Sequence, residues 1–279
     1  MVSLSVFEAY RPQLTAIAFR LLGSIHDAED AVQNAWIKAA SVPDDNLRNP
    51  AAYLTTVLTR ECLDQLRIRQ RRGEQPLFAD MLADNEVAAD EHYLRRENIS
   101  RALMVVLDRL TPAQRLAYVL HDLFAVPFRD VAATLGTSPD TAKKHASRAR
   151  QRINHTGPVP ATSTIDNALV DAFLTAAADG DTSTMIALMV DDCVRVADPT
   201  LVPAHTPTAV VGAATVAQET ALFAKRIRAS TPMLDNGHLV HVIAPGGHPL
   251  AIINIAVEAE RIARIEISRT GPLTDLAMV

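Results

Sequence analysis

Residues 128–153, FRDVAATLGTSPDTAKKHASRARQRI, constrain the fold of this 279-residue chain more tightly than any other stretch. They predict two short helices joined by a tight turn at Gly136-Thr137. Gly136 can take the left-handed conformation that stops the first helix. Ser138 then offers an N-cap, and Pro139 suits the first helical position. In the second helix Ala142, Ala146, Ala149 and Ile153 recur at i, i+4, i+7 and i+11, a single apolar stripe for packing. Asp140, Lys143, Lys144, Ser147, Arg148 and Gln151 lie away from that stripe. A helix docked by small alanines and turning Lys and Arg outward has the form of a major-groove reader.

The net charge of −5 excludes a surface that is basic throughout, so contact with nucleic acid must be local. Two basic stretches supply it. Between Arg60 and Arg72 five arginines stand against Glu61 and Asp64, and between Asp140 and Arg152 five Lys/Arg stand against one Asp. Cys62 and Cys193 both fall inside apolar patterns and read as free buried thiols, which suits a reducing compartment. There is no basic-then-apolar leader pattern and no run of membrane-spanning length. A cytoplasmic protein with no membrane contact is therefore expected. No residue pattern for a cofactor or a metal is present, so neither is expected.

Before the helix-turn-helix the chain reads as helices. Residues 4–22 place Leu4, Phe7, Leu14, Ile17, Ala18 and Leu21 on one face, and Gly23 stops the helix. Asp27 can cap a second helix with Ala28, Val32, Ala35 and Ala39 inward and Trp36 beside them. A polar loop, VPDDNLRNP at 42–50, is bracketed by Pro43 and Pro50. A long helix from about Ala51 to Arg72 turns Leu54, Val57, Leu58, Cys62 and Leu66 inward and Arg60, Asp64, Arg67 and Arg71 outward. Thr111-Pro112-Ala113-Gln114 forms a Thr-x-x-Gln capping box. Residues 73–94 are acidic and weakly patterned.

The segments DAEDAVQNAW and NPAAYL…TR..LD.LR closely resemble region 2 of the extracytoplasmic-function (ECF) sigma factors of the sigma-70 family. Residues 110–153, beginning LTPAQRLAYVLHDLFAVPF, resemble region 4 of the same family. The resemblance covers about residues 4–72 and 100–153, in the family's order. It implies that Asp27, Glu29, Asp30 and Gln33 dock on the clamp helices of RNA polymerase core. It further implies that the 42–50 loop captures a base flipped from the −10 element, with Asp45, Asn46 and Arg48 as readers. Tyr53, Thr56 and Arg60 would follow on the DNA side, and Arg67, Arg69, Arg71 and Arg72 would meet phosphates. In region 4 it places Asp140, Lys143, Lys144, Ser147 and Arg148 at the major groove of the −35 element, with Arg150 and Arg152 nearer phosphate.

Past His155 the stretch HTGPVPATS marks a linker. Then come a helix over Ile165–Ala178, a stop at Asp179-Gly180, and a helix capped by Asp181 that runs to about Met189. Short apolar or alternating runs follow at Cys193–Asp198, Ala209–Val211, His238–Ala244, Leu250–Val257 and Ile262–Ser268, interrupted by one helix over about Ala213–Ile227. Helices first and antiparallel strands later predict an α+β domain with helices against a curved sheet. FLTAAADGDTSTMIALMVDDCVRVADP with VVGAATVAQ resembles the SnoaL-like branch of the cone-shaped NTF2-like fold, an extension carried by actinobacterial ECF subgroups. The expected organisation is multidomain: region 2 over 1–72, a linker over 73–98, region 4 over 99–155, a linker over 156–164, and a SnoaL-like domain over 165–279. The first two domains are all-α.

Asp198, His205, His238 and His241 are the acid/base candidates of that last domain. His238 and His241 are three apart on a strand and so face opposite sides. No catalytic residue is assigned. Together these features imply a sigma factor that recruits polymerase core to promoter DNA, with the extension acting in cis and a small molecule as a further partner for its cavity. The alternative is a SnoaL-like binding or enzymatic domain fused to a helix-turn-helix regulator. A helix-turn-helix regulator working without polymerase would leave residues 4–72 unexplained.

Overall fold

Local cap signals start and stop most of the helices. The computed structural model describes residues 3–41, 49–72, 82–154, 164–203, 206–271 and 276–279. These fall into two compact units, the first ending at Asn154 and the second beginning at residue 164 in its described part.

The first unit is helical. Helix α1 (Leu4–Leu22) ends at Gly23, whose φ of +81° lets its N–H reach the Phe19 carbonyl. Leu4 is 61% exposed, so the inward face of α1 begins at Phe7, which stacks on Trp36 with centroids 4.6 Å apart. Leu4 lies in the first turn, ahead of that contact. Helix α2 (Ile25–Ala40) is capped by Ser24 rather than Asp27: the Ser24 hydroxyl accepts from the Asp27 N–H at 3.3 Å. Asp27 therefore sits in the first turn, where its charge suits the positive end of the dipole. Asn49 caps α3 (Pro50–Arg71), accepting from the Ala52 N–H at 3.1 Å. Along α3 Leu54, Leu58, Cys62 and Leu66 are buried and Val57 is half-buried.

The weakly patterned segment contains a helix, α4 (Asp84–Arg96). Its inward residues are Asp90, Tyr93 and Leu94, and only two of these are apolar, so little periodicity announces it. Tertiary contacts hold it in place. Asp90 accepts the Ile25 N–H at 2.7 Å, satisfying an orphan donor at the start of α2, and Tyr93 packs on Phe19 with centroids 4.7 Å apart. Helix α5 (Arg101–Leu107) is buried along most of its length. Helix α6 (Pro112–Tyr118) opens with the Thr111–Gln114 capping box and runs into a π-helical turn, Val119–Leu123. Helices α7 (Phe128–Leu135) and α8 (Pro139–Ile153) follow, joined through Gly136 at φ +67°.

Helix α5 packs against α1, and α6 and α7 against α3, with a buried polar joint among these contacts, while α8 packs on α5, α6 and α7. The Arg115 Nη1 donates to Asp108 Oδ1 at 2.6 Å, its Nε donates to the Arg20 carbonyl at 2.8 Å, and its side chain is only 5% exposed. Burial pulls the Arg115 guanidinium below its ordinary pKa while the Asp108 carboxylate pushes it back up.

The second unit is α+β. Helices α9 (Thr164–Asp179), α10 (Thr182–Leu188), α11 (Ala213–Leu222) and α12 (Ala224–Ile227) accompany strands β1 (Met189–Ala197), β2 (Ala209–Val211), β3 (Ser230–Asp235), β4 (His238–Ile243), β5 (Ala251–Glu258), β6 (Arg261–Arg269) and β7 (Leu276–Met278). The sheet order is β2-β1-β6-β5-β4-β3-β7. The expectation of antiparallel strands is corrected at one place: β1 runs parallel to β6, with Val196 opposite Glu266. The long connection that parallel pairing requires is supplied by everything between β1 and β6. The helix expected over Ala213–Ile227 breaks at Phe223, which packs on the core as α12 begins. Strand β3 was hidden by Pro232. It is tolerated because β7 pairs only with Met233–Asp235, leaving the proline nitrogen outside that ladder. The core lies between one sheet face and the helices, with Phe173, Met185, Val216, Ile253 and Ile265 buried in it.

Both thiols are free and buried. Burial pushes Cys62 up to about 12 and Cys193 up to about 11. Thiolate is the reactive form, so at pH 8 neither should react with an aromatic disulfide reagent until the chain is unfolded. Two equivalents released only in denaturant is the expected result; rapid release from native protein would contradict the packing.

Candidate nucleic-acid interface

Helix α8 docks through its small residues. Ala142, Ala146, Ala149 and Ile153 are all buried, the last at 1% exposure. Alanines at these positions bring the α8 backbone close to α6 and α7, which leaves the opposite face standing clear. Asp140, Lys143, Lys144, Ser147 and Arg148 are all exposed on that face. The Ser138 hydroxyl accepts the Thr141 N–H at 3.2 Å and fixes the first turn from which these residues project.

The cations on α8 fall into two groups. Arg150 pairs with Asp122 at 3.0 Å, and Arg152 donates to Gln114 Oε1 at 3.3 Å, so both brace the helix against α6 and the π-helical turn. Lys144 and Arg148 make no ion pair among the described residues. Lys143 reaches Asp140 at 3.5 Å, but both side chains are exposed, and such a pair contributes at most ~1 kcal/mol. Burial, and then the Arg148 charge, lower the pKa of His145. At neutral pH that imidazole is neutral, and the positive charge of this face belongs to Lys143, Lys144 and Arg148.

On α3 Arg60, Arg67 and Arg71 are exposed, Arg67 lying 3.8 Å from an exposed Asp64. Tyr53 and Thr56 are half-buried, and the Thr56 hydroxyl donates to the Ala52 carbonyl at 2.8 Å. Arg69 differs from its neighbours. Its guanidinium donates to the Leu22 carbonyl at 2.9 Å and to Asp27 Oδ2 at 2.5 Å, tying α3 to the end of α1 and the start of α2. The same bond engages Asp27, whereas Glu29, Asp30 and Gln33 on α2 are exposed. Asp45, Asn46 and Arg48 lie outside the described residues.

In the second unit the acid/base candidates among the described residues do not converge. The Asp198 Oδ1 accepts from the Thr200 N–H at 2.8 Å and hydroxyl at 2.7 Å, which holds the carboxyl below its ordinary pKa and makes it a turn residue. His238 is exposed, His241 is buried, and His205 lies outside the described residues. Nothing local in the sequence marks the Arg115–Asp108 and Arg195–Glu219 pairs, because the fold brings the partners together.

Among the described residues no helix is long and apolar enough to cross a membrane. The family model for sigma-70 region 2 matches residues 6–72, and that for sigma-70 region 4 matches residues 100–153. The chain is 40% identical over 222 residues to the ECF RNA polymerase sigma factor SigJ of Mycobacterium tuberculosis, covering 75% of this chain and 68% of that one. It is 29% identical over 191 residues to the probable ECF RNA polymerase sigma factor SigI of the same species, covering 66% of each. Among solved structures, M. tuberculosis SigJ aligns over 96% of both chains at 32% identity with a TM-score of 0.45. An NTF2-like protein of Cytophaga hutchinsonii aligns over 39% of this chain and 92% of its own at 13% identity, with a TM-score of 0.28.

Proposed function

The chain belongs to the ECF RNA polymerase sigma factors of the sigma-70 family, and we propose that it directs polymerase core to −35 and −10 promoter elements and helps open the latter. The observation that carries this is the pair of sigma regions in family order, each ending on an exposed basic helix face. Helix α8 would lie in the major groove at the −35 element, with Lys143, Lys144, Ser147 and Arg148 toward base edges and Asp140 at the helix start. Helix α3 would lead away from the −10 element, with Tyr53, Thr56 and Arg60 near the bases and Arg67 and Arg71 on phosphates. The chain itself performs no covalent chemistry.

Glu29, Asp30 and Gln33 would meet the polymerase, and Asp27 would act mainly by holding Arg69. Changing the first three to alanine together should weaken binding to core at least tenfold while leaving the helical content unchanged. Co-elution of core with the wild-type chain and not with the variant is the expected result. Co-elution of both alike would remove these residues from the interface.

Promoter reading also demands separation of the two sigma regions. The −35 and −10 elements lie about 25 base pairs apart, on the order of 85 Å at about 3.4 Å per base pair. A compact unit of this size has a radius of gyration of only about 15 Å. The joint around Arg115 must therefore open when polymerase and DNA are engaged. The second unit would act in cis on this equilibrium. Removing residues 157–279 should change promoter activity; an unchanged transcript yield would rule that role out.

A further inference from the structure

Helix α7 has no capping side chain to start it. Pro127 stands at its N-cap without an acceptor, and eight residues are too few to hold a helix by propensity alone. Its buried residues, Val131, Ala132 and Thr134, all lie in the later part of the helix. The π-helical turn that precedes it, Val119–Leu123, supplies what the first turn lacks. Such a turn carries one residue more than an α-turn, so the chain leaves it in a different direction.

The exit from that turn is held at several points. Ala125 takes φ +54°, a left-handed conformation that favours glycine. Its N–H donates to the His121 carbonyl at 3.1 Å, and the Val126 N–H donates to the Leu120 carbonyl at 2.9 Å. The His121 side chain adds two further contacts. Its Nδ1 lies 3.0 Å from the Val126 carbonyl, which can only accept, so Nδ1 carries the proton. The imidazole also stacks on Phe128, the first residue of α7, with ring centroids 3.6 Å apart. His121 thus holds both the loop and the start of the helix.

We infer that His121 is a positioning residue for promoter binding: it fixes the first turn of α7 so that Arg129 meets a DNA phosphate. In a helix-turn-helix the first helix crosses the backbone while the second enters the groove. Arg129 is the cation of that first turn, its side chain 81% exposed and 3.2 Å from an exposed Asp130. A guanidinium matches phosphate through a planar fork, and that geometry is kept only if the helix start is fixed. This assignment rests on the reading of α7 and α8 as the −35 reader, and His121 itself touches no DNA.

The test uses the full-length chain assembled with polymerase core and a promoter duplex from which it initiates. His121→Ala is expected to weaken promoter binding about fivefold and to reduce the salt slope by about 0.9, the value of one phosphate contact. Arg129→Ala should produce the same change, and the double variant should lose no more than either alone. His121→Phe keeps the stack on Phe128, and His121→Asn keeps a donor for the Val126 carbonyl. Each should restore part of the loss, and the pair serves if the alanine variant does not fold. A role in stability alone would lower the urea midpoint and leave the affinity and salt slope of the folded protein unchanged. That result, or additive losses in the double variant, would overturn the assignment while the −35 reading stands. A wild-type chain that binds no promoter with core would overturn both.

Discussion

Asp108→Ala is expected to lower the unfolding free energy of the helical unit by about 3–5 kcal/mol. Removing the carboxylate leaves the Arg115 guanidinium buried with only the Arg20 carbonyl as a strong partner, and its Nη2 has no hydrogen-bond partner even in the intact protein. A buried charge stripped of its counter-charge keeps the desolvation penalty and loses the attraction that offset it. Replacing both residues at once, Asp108→Leu with Arg115→Met, should cost far less, because neither charge is then stranded. Trp36 is the only tryptophan and sits in the same unit, so urea unfolding followed by its fluorescence reads both variants. A single-variant loss below about 1 kcal/mol would mean that water reaches Arg115 and that the joint is looser than described.

The second large effect concerns DNA. Lys144→Ala and Arg148→Ala are each expected to weaken binding to a −35-containing duplex by about 1–3 kcal/mol if the side chain reads a base edge. A side chain that meets phosphate instead would weaken all sequences alike and reduce the salt slope by about 0.9. Titration against cognate and scrambled duplexes at two salt concentrations separates these outcomes. Arg150→Ala and Arg152→Ala should act mainly through stability, since their guanidinium groups are held by Asp122 and Gln114. Equal losses of DNA affinity across all four cations, with stability untouched, would contradict the division of α8 into a braced end and an open face.

What could be read from sequence was what residues within one or two turns decide. The α8 stripe, the stop at Gly136, the Ser138 cap, the Thr111–Gln114 box and the Asp181 cap are all local patterns, and each stands in the structure. The contacts without a local signal join residues far apart in the chain. Arg69 meets Asp27 across 42 positions, Asp90 meets Ile25 across 65, and Arg115 meets the Arg20 carbonyl across 95. No spacing rule marks such pairs, and the first of them ties together two residues, Arg69 and Asp27, that the resemblance assigns to interfaces. The parallel β1–β6 pairing was hidden for the same reason, since pairing direction depends on the path of the intervening chain. Helix α4 shows the complementary case, where a segment with little apolar periodicity is held by one buried carboxylate and one tyrosine.

Run-off transcription with purified polymerase core on a promoter library tests the central claim most directly. The full-length chain should drive core to start at a restricted set of promoters that share one −35 and one −10 sequence. Lys144→Ala with Arg148→Ala should abolish that selectivity without displacing the chain from core. Transcripts no more abundant or selective than core alone produces would contradict the account.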